Sequence, residues 1–294
     1  MFTFIAVALR ILVNPLSNVF QKRICNSGQP PLFITFLTYL GISAVTIPAA
    51  YSIPWFTFPF AFWIYSVLIG VLAAFGNGFL VKAVRSGELS VLGPINAYKS
   101  IVGIIFGIIL LGEIPNVAGL LGVALIVGGS YYALDSGSAT GHFLRNILLR
   151  SDVRDRIVSM IFSAIEAVFI KKIILYSDVQ TAFVVWCWGG AVFAFIFFPL
   201  WERHNEICLR SEWKRAYAQF LCYAGLICSV GLTQGTTYYV FAHMPVGYAL
   251  ALFQLSAVLT VFYGWLFFYE TKIYQKLAAS VITILGSVLI ILWN

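Results

Sequence analysis

Three ionisable residues stand near the middle of long apolar stretches: Arg10, Lys99 and Glu166. At the centre of a membrane-crossing helix such a charge costs about 2.5–3.5 kcal/mol even on insertion scales, so it normally faces a cavity or a partner. Two cations and one anion at similar depth suit a zwitterion. Arg10 or Lys99 would hold a carboxylate or phosphate, and Glu166 an amine or a coupling proton. The alternative is an internal salt bridge from Glu166 to one of the cations. That still leaves one positive charge without a protein partner.

Polar and aromatic side chains surround these three. Arg10, Asn14, Ser17 and Asn18 recur at three- or four-residue spacing and share one helical face, and Pro15 removes a backbone donor beside them. Asn77 and Gln234 each precede a glycine, Asn96 lies three residues before Lys99, and Trp186, Trp188, Tyr238 and Tyr239 lie on later stretches. The candidate substrate-binding set is Arg10, Asn14, Asn77, Asn96, Lys99, Glu166, Trp186, Gln234 and Tyr238. The plainer alternatives are lipid-facing packing for the aromatics and helix–helix hydrogen bonding for the amides. Glu113 and Glu270 end apolar stretches, where a carboxylate is expected to cap the following helix. Lys22 and Lys171 are expected to be interfacial anchors.

The elements that carry these residues follow from composition. Of 294 residues, 61% are hydrophobic, 17% aromatic and only 10% charged. An ordinary soluble domain is nearer a quarter charged, which excludes a soluble globule, a disordered chain and a disulfide scaffold. Crossing the hydrocarbon takes about 20 apolar residues. The chain offers ten such stretches, near 2–21, 31–51, 58–82, 88–112, 115–134, 156–175, 179–200, 215–241, 246–269 and 273–293. The expectation is an all-α, polytopic membrane protein. Its opening stretch has no basic leader and contains Arg10, so it reads as a permanent helix and not as a signal peptide.

The net charge of +7 sits in short clusters between stretches, the pattern of orientation signals and not of a nucleic-acid interface. Cys25, Cys187, Cys208, Cys222 and Cys228 form no C-x-x-C pair, so neither a metal site nor a disulfide framework is expected. No H-E-x-x-H, G-x-S-x-G or Walker A sequence occurs, and no catalytic residue or cofactor is expected.

The one long Gly/Ser/charge-rich segment, 135–155, lies near the midpoint and divides the chain into halves at 1–134 and 156–294. These halves repeat. VFQKRI at 19–24 matches VFIKKI at 168–173, and Gly78, Gly107, Glu113, Leu120, Gly129 and Ser130 match Gly235, Gly264, Glu270, Leu277, Gly286 and Ser287 in one register. Five spans per half is an odd number, so the second half enters the membrane inverted. Inverted repeats are characteristic of secondary transporters.

The first-half run IIFGIILLGE, followed by PNVAGLLGVALIVGGSYYAL, is echoed by GWLFFYE and KLAASVITILGSVLIIL. This resembles the drug/metabolite transporter superfamily, specifically its ten-helix EamA-like members, over nearly the whole chain. The resemblance implies two inverted five-helix repeats around a central cavity, and export of amino acids, other metabolites or drugs. Two departures stand out. Tyr269 replaces the glycine that precedes Glu113 in the first half, and the connection SIPWFTFP carries no charge.

The expected function is secondary active or facilitative transport of small zwitterionic or anionic metabolites, most directly amino-acid or metabolite efflux by alternating access. A proton or counter-substrate is the expected partner of the solute, and the chain acts as monomer or homodimer. Uptake or exchange of a nucleotide-like, sulfonium or organic-phosphate metabolite is the alternative, and an integral-membrane enzyme or scaffold the remote one. The expected location is a bacterial inner membrane. Fourteen basic residues fall on odd-numbered connections, against Lys171 and Lys172 on even ones. The positive-inside rule therefore places both termini outside, whereas the resemblance implies the reverse for many members.

Overall fold

A computed structural model describes residues 2–96, 98–99, 102, 121–122, 124–126, 128–129, 132, 150–201, 209–244 and 246–292. Eleven helices are assigned within it: α1 Phe2–Asn26, α2 Pro31–Tyr51, α3 Phe60–Ser86, α4 Leu89–Ile95, α5 Ser151–Tyr176, α6 Val179–Trp201, α7 Leu209–Ala218, α8 Phe220–His243, α9 Val246–Leu252, α10 Ser256–Phe268 and α11 Ile273–Leu292. No strand is present among the described residues. Proline places the early boundaries: α2 starts on Pro31 and α3 follows Pro59, because a fixed φ and a missing amide suit a first helical turn. α1 runs through Pro15 without a break.

Of the ten expected spans, α1, α2, α3 and α6 are each long and apolar enough to cross a bilayer. A fifth candidate joins α7 to α8 through an 80° bend at Gln219. α5 is long enough but carries seven charged residues, and α10 and α11 are apolar. Most of the expected fourth and fifth spans lies outside the described residues, with Gly103, Gly107, Glu113, Leu120 and Ser130. Exposed Trp63, Ile64 and Val67 on α3, and Val192, Phe195 and Ile196 on α6, give the bundle an apolar flank suited to lipid.

The halves pack reciprocally. α1 lies against α8 while α3 lies against α5; α2 meets α6, and α4 meets α10. Two expected spans are interrupted. The fourth turns at Asn96 after α4, and the ninth passes from α9 through a tight turn at Phe253–Leu255 into α10. The interruptions meet, Asn96 Nδ2 donating to Gln254 Oε1 at 3.2 Å. Irregular backbone at membrane depth is tolerated where it is buried in protein or lines a cavity.

Glycine sets the closest approach. A Cβ on Gly70 of α3 would stand 3.0 Å from the backbone of Gly189 on α6 and 2.9 Å from the Phe193 ring. Gly225 likewise takes Phe20, whereas Gly231 on the same helix faces open space. Gly70→Leu is therefore expected to force α3 and α6 apart and lower the melting temperature in detergent. Gly231→Ala is expected to leave it unchanged.

One of the two expected caps is corrected, Glu113 lying outside the described residues. Glu270 does not cap the helix that follows it. Its carboxylate accepts from Leu89 N and Ser90 N, both at 2.8 Å, and from the Ser90 hydroxyl, so it caps α4 in the other half. Lys22, expected as an interfacial anchor, pairs with it at 2.8 Å and also donates to Gly87 O. The repeat-related Lys171 donates to the Phe241 carbonyl. Helix α5 begins at Ser151, so the last residues of the expected linker are helical.

Candidate functional site

Within the aromatic core, α5 presents Glu166, buried to 5% exposure, and α6 presents Trp186, fully buried. The indole Nε1 of Trp186 donates to Glu166 Oε1. A carboxylate taken from water needs such donors, and the residues around this pair are otherwise mostly apolar. Tyr39 stands edge-on to Trp186 at 4.7 Å, and Phe183 and Tyr238 complete the wall. Asn77 reaches this group through Tyr39, donating to its hydroxyl and, at 3.2 Å, to Ala73 O. The Tyr238 hydroxyl, fully buried within range of the Glu166 charge, has no hydrogen-bond partner.

Arg10 approaches from α1. Its Nε donates to Thr237 Oγ1 at 2.9 Å, its guanidinium lies over the Phe253 ring at 3.6 Å, and its buried Nη1 has no partner. Lys99 is half-buried and within electrostatic range of Arg10, Glu166 and Arg156. The five ion pairs among the described residues include none of Arg10, Lys99, Arg156 and Glu166, so no cation lies within 4.0 Å of Glu166 there. Three cations and one anion thus share this part of the bundle. Uncompensated positive charge in an apolar interior is expensive unless something negative visits it.

A second polar group adjoins the first. Asn14 and Asn18 of α1, Asn96, Arg156 of α5, and Ser256 and Thr260 of α10 surround a small cavity of about 20 Å³, room for one water or slightly more. Asn96 joins it to the first group through Gln254, next to the Phe253 ring under Arg10.

Of the nine expected residues, the structure gathers Glu166, Trp186, Tyr238 and Asn77 around one aromatic box. Asn14 and Asn96 lie on the small cavity, with Arg10 and Lys99 between the groups. Gln234, which like Asn77 precedes a glycine, is half-buried and hydrogen-bonds to no described residue. Three contributors went unread. Thr237 had a signal, lying with Thr233 and Gln234 on a polar stripe of α8. Phe253 had none. Arg156, one of the fourteen basic residues expected on odd-numbered connections, is a buried residue of α5 at 9% exposure.

The profile of the EamA-like transporter family matches residues 3–134 and 156–292, one match in each half. No curated protein matches the sequence at a significant level. A solved crystal structure aligns with 98% of this chain and 96% of its own at a TM-score of 0.65 and 15% identity, a likeness in fold.

Proposed function

The chain belongs to the EamA-like transporter family of integral, multi-pass membrane proteins, and we propose that it carries small zwitterionic or anionic metabolites across the membrane by alternating access. Export, as of an amino acid, is the direction proposed. The observation that carries this reading is the cluster of Arg10, Lys99 and Glu166 without a direct ion pair among them. Were the charges only neutralising one another, Glu166 would sit on a cation; it sits on the Trp186 indole instead. A solute carboxylate then meets the cations, and an ammonium or a proton meets Glu166.

The reciprocal packing of the halves supports the alternating step. In an inverted repeat with a pseudo-twofold axis in the membrane plane, one unit can take either of two related positions. The broken fourth and ninth spans support it too, since discontinuous helices commonly form midplane sites. In this reading both termini face outward, which reporters fused to the C-terminus and active on one side only will test.

The test of transport is purified protein in liposomes, loaded in turn with radiolabelled amino acids and organic acids. One solute should appear outside chemically unchanged and faster than from protein-free vesicles; efflux at the protein-free rate for the whole set would overturn the reading. Tyr238→Phe refines it. Removing an unpaired buried hydroxyl relieves a desolvation cost of about 1–3 kcal/mol, so the variant should melt no lower than wild type. If that hydroxyl meets the solute, affinity should fall severalfold; unchanged affinity would remove Tyr238 from the site.

A further inference from the structure

Among the described residues, Arg156 is a guanidinium without a counter-ion. It is nine-tenths buried, its Nη2 donates to Asn96 Oδ1 at 2.9 Å, and its Nε has no partner. Its carboxylate neighbours on α5 are engaged elsewhere, Asp152 with Arg150 at 2.7 Å and Asp155 with Lys82 at 3.2 Å. The cavity in front of it is lined by the Asn14 and Asn18 amides, which can donate to an anion, and by Ser256 and Thr260, whose hydroxyls already donate to the Phe253 and Ser256 carbonyls. Neither of those two amides hydrogen-bonds to a described residue. A buried cation with donors to spare, facing polar groups that also have capacity to spare, is an incomplete network, and such networks are costly unless a ligand completes them.

Resting on the transport reading above, we infer that this cavity is the anion subsite and that it takes a carboxylate, with Arg156 as its anchor. Arg10 is less suited to that task. Its Nε is committed to Thr237 and one face of its guanidinium is covered by Phe253, which leaves it to supply positive potential and shape. The planar guanidinium donors of Arg156 match a carboxylate edge to edge.

The experiment measures thermal stabilisation of detergent-purified protein by the L-amino acids, lactate and succinate, each compared with its amide at equal concentration. At least one acid should raise the melting temperature while its amide does not, since a bound ligand stabilises the folded protein by RT ln(1 + L/Kd), with L the free ligand concentration. In Arg156→Gln the dissociation constant for that acid should rise about ten- to a hundredfold, the range for a lost charge-assisted hydrogen bond. Arg156→Lys should recover part of the affinity, because it keeps the charge and loses the fork. Asn18→Asp guards against a folding artefact. It puts a carboxylate on the cavity that Arg156 lines, so it should melt at or above the wild-type temperature and no longer respond to the acid.

Equal stabilisation by acid and amide overturns the inference, as does wild-type affinity in Arg156→Gln. Liposome efflux of the same solute separates the two levels. Wild-type protein that moves the acid, with Arg156→Gln binding and moving it equally well, sinks the Arg156 subsite and leaves the transport reading standing. Wild-type protein that neither binds nor moves any acid in the panel sinks both.

Discussion

Arg10→Ala and Lys99→Ala proteins should reach the membrane in normal amounts and transport at least about tenfold, and up to about a hundredfold, more slowly than wild type. The magnitude follows from the environment. A hydrogen bond to a charged group contributes about 1.5–3 kcal/mol, and each 1.4 kcal/mol is tenfold in affinity. Arg10 also holds α1 to α8 through Thr237 and stacks on Phe253, so its loss removes both potential and shape. Arg10→Lys should fall between, keeping the charge but not the planar stack. Glu166→Gln separates two roles for the acid. If Glu166 carries the coupling proton, the variant should still exchange solute but no longer accumulate it against a gradient when a pH difference is imposed. Wild-type rates in both Arg10→Ala and Lys99→Ala would show that these charges serve the bundle and not the solute.

The second large effect lies at the Lys22–Glu270 pair. Glu270→Ala should lower stability by about 3–5 kcal/mol, the scale for removing one partner of a buried ion pair. The side chains of Lys22 and Glu270 are 12% and 5% exposed, so the lysine would be left nearly dry, and the Leu89 and Ser90 amides would lose their shared acceptor. Burial alone would push the Glu270 carboxyl up. The Lys22 and Ser90 hydrogen bonds outweigh it and hold the carboxyl below the usual carboxylate range. A depressed carboxyl contributes stability that is fully present above its unfolded pKa, about 4.3, and is lost as pH falls through the lower folded value. Melting temperatures of wild-type protein should therefore drop on acidification below about pH 4, and those of Glu270→Ala should drop less. Parallel pH profiles would deny Glu270 that role. Because Glu270 and α4 belong to different halves, the contact also fastens the halves at one end of the bundle. In the proposed alternating-access cycle it would loosen when that end opens.

Much of this protein was legible along the chain because the signals were local. Apolar runs gave the starts of α1, α2, α3 and α6 to within a few residues, since a helix in hydrocarbon must satisfy its own backbone and reports its length directly. The spaced Gly, Glu and Leu matches marked two repeats, and the family profile falls on the same two stretches. Arg10 and Glu166 stood out for the same local reason: a lone charge in an apolar window has few structural excuses.

What went unread depended on partners distant in sequence. Arg156 looks like one more basic residue near a linker, and only the packing of α5 against α3 and α4 buries it beside Asn96. Glu270 announces a helix cap, but its local sequence could not say that the capped helix lies 180 residues away. Gly70 and Gly189 carry no special spacing; their importance arises where α3 meets α6.

The sequence by itself determined that the chain lives in a bilayer as two repeated sets of helices with a few charges stranded inside. Hydrophobicity and periodicity are properties of neighbours along the chain. The tertiary structure decided which stranded charges remain without counter-ions, which amides face them, and which glutamate fastens one half to the other. Those depend on which helix faces meet, because an ion pair or a cavity exists only between elements brought within a few ångströms of each other.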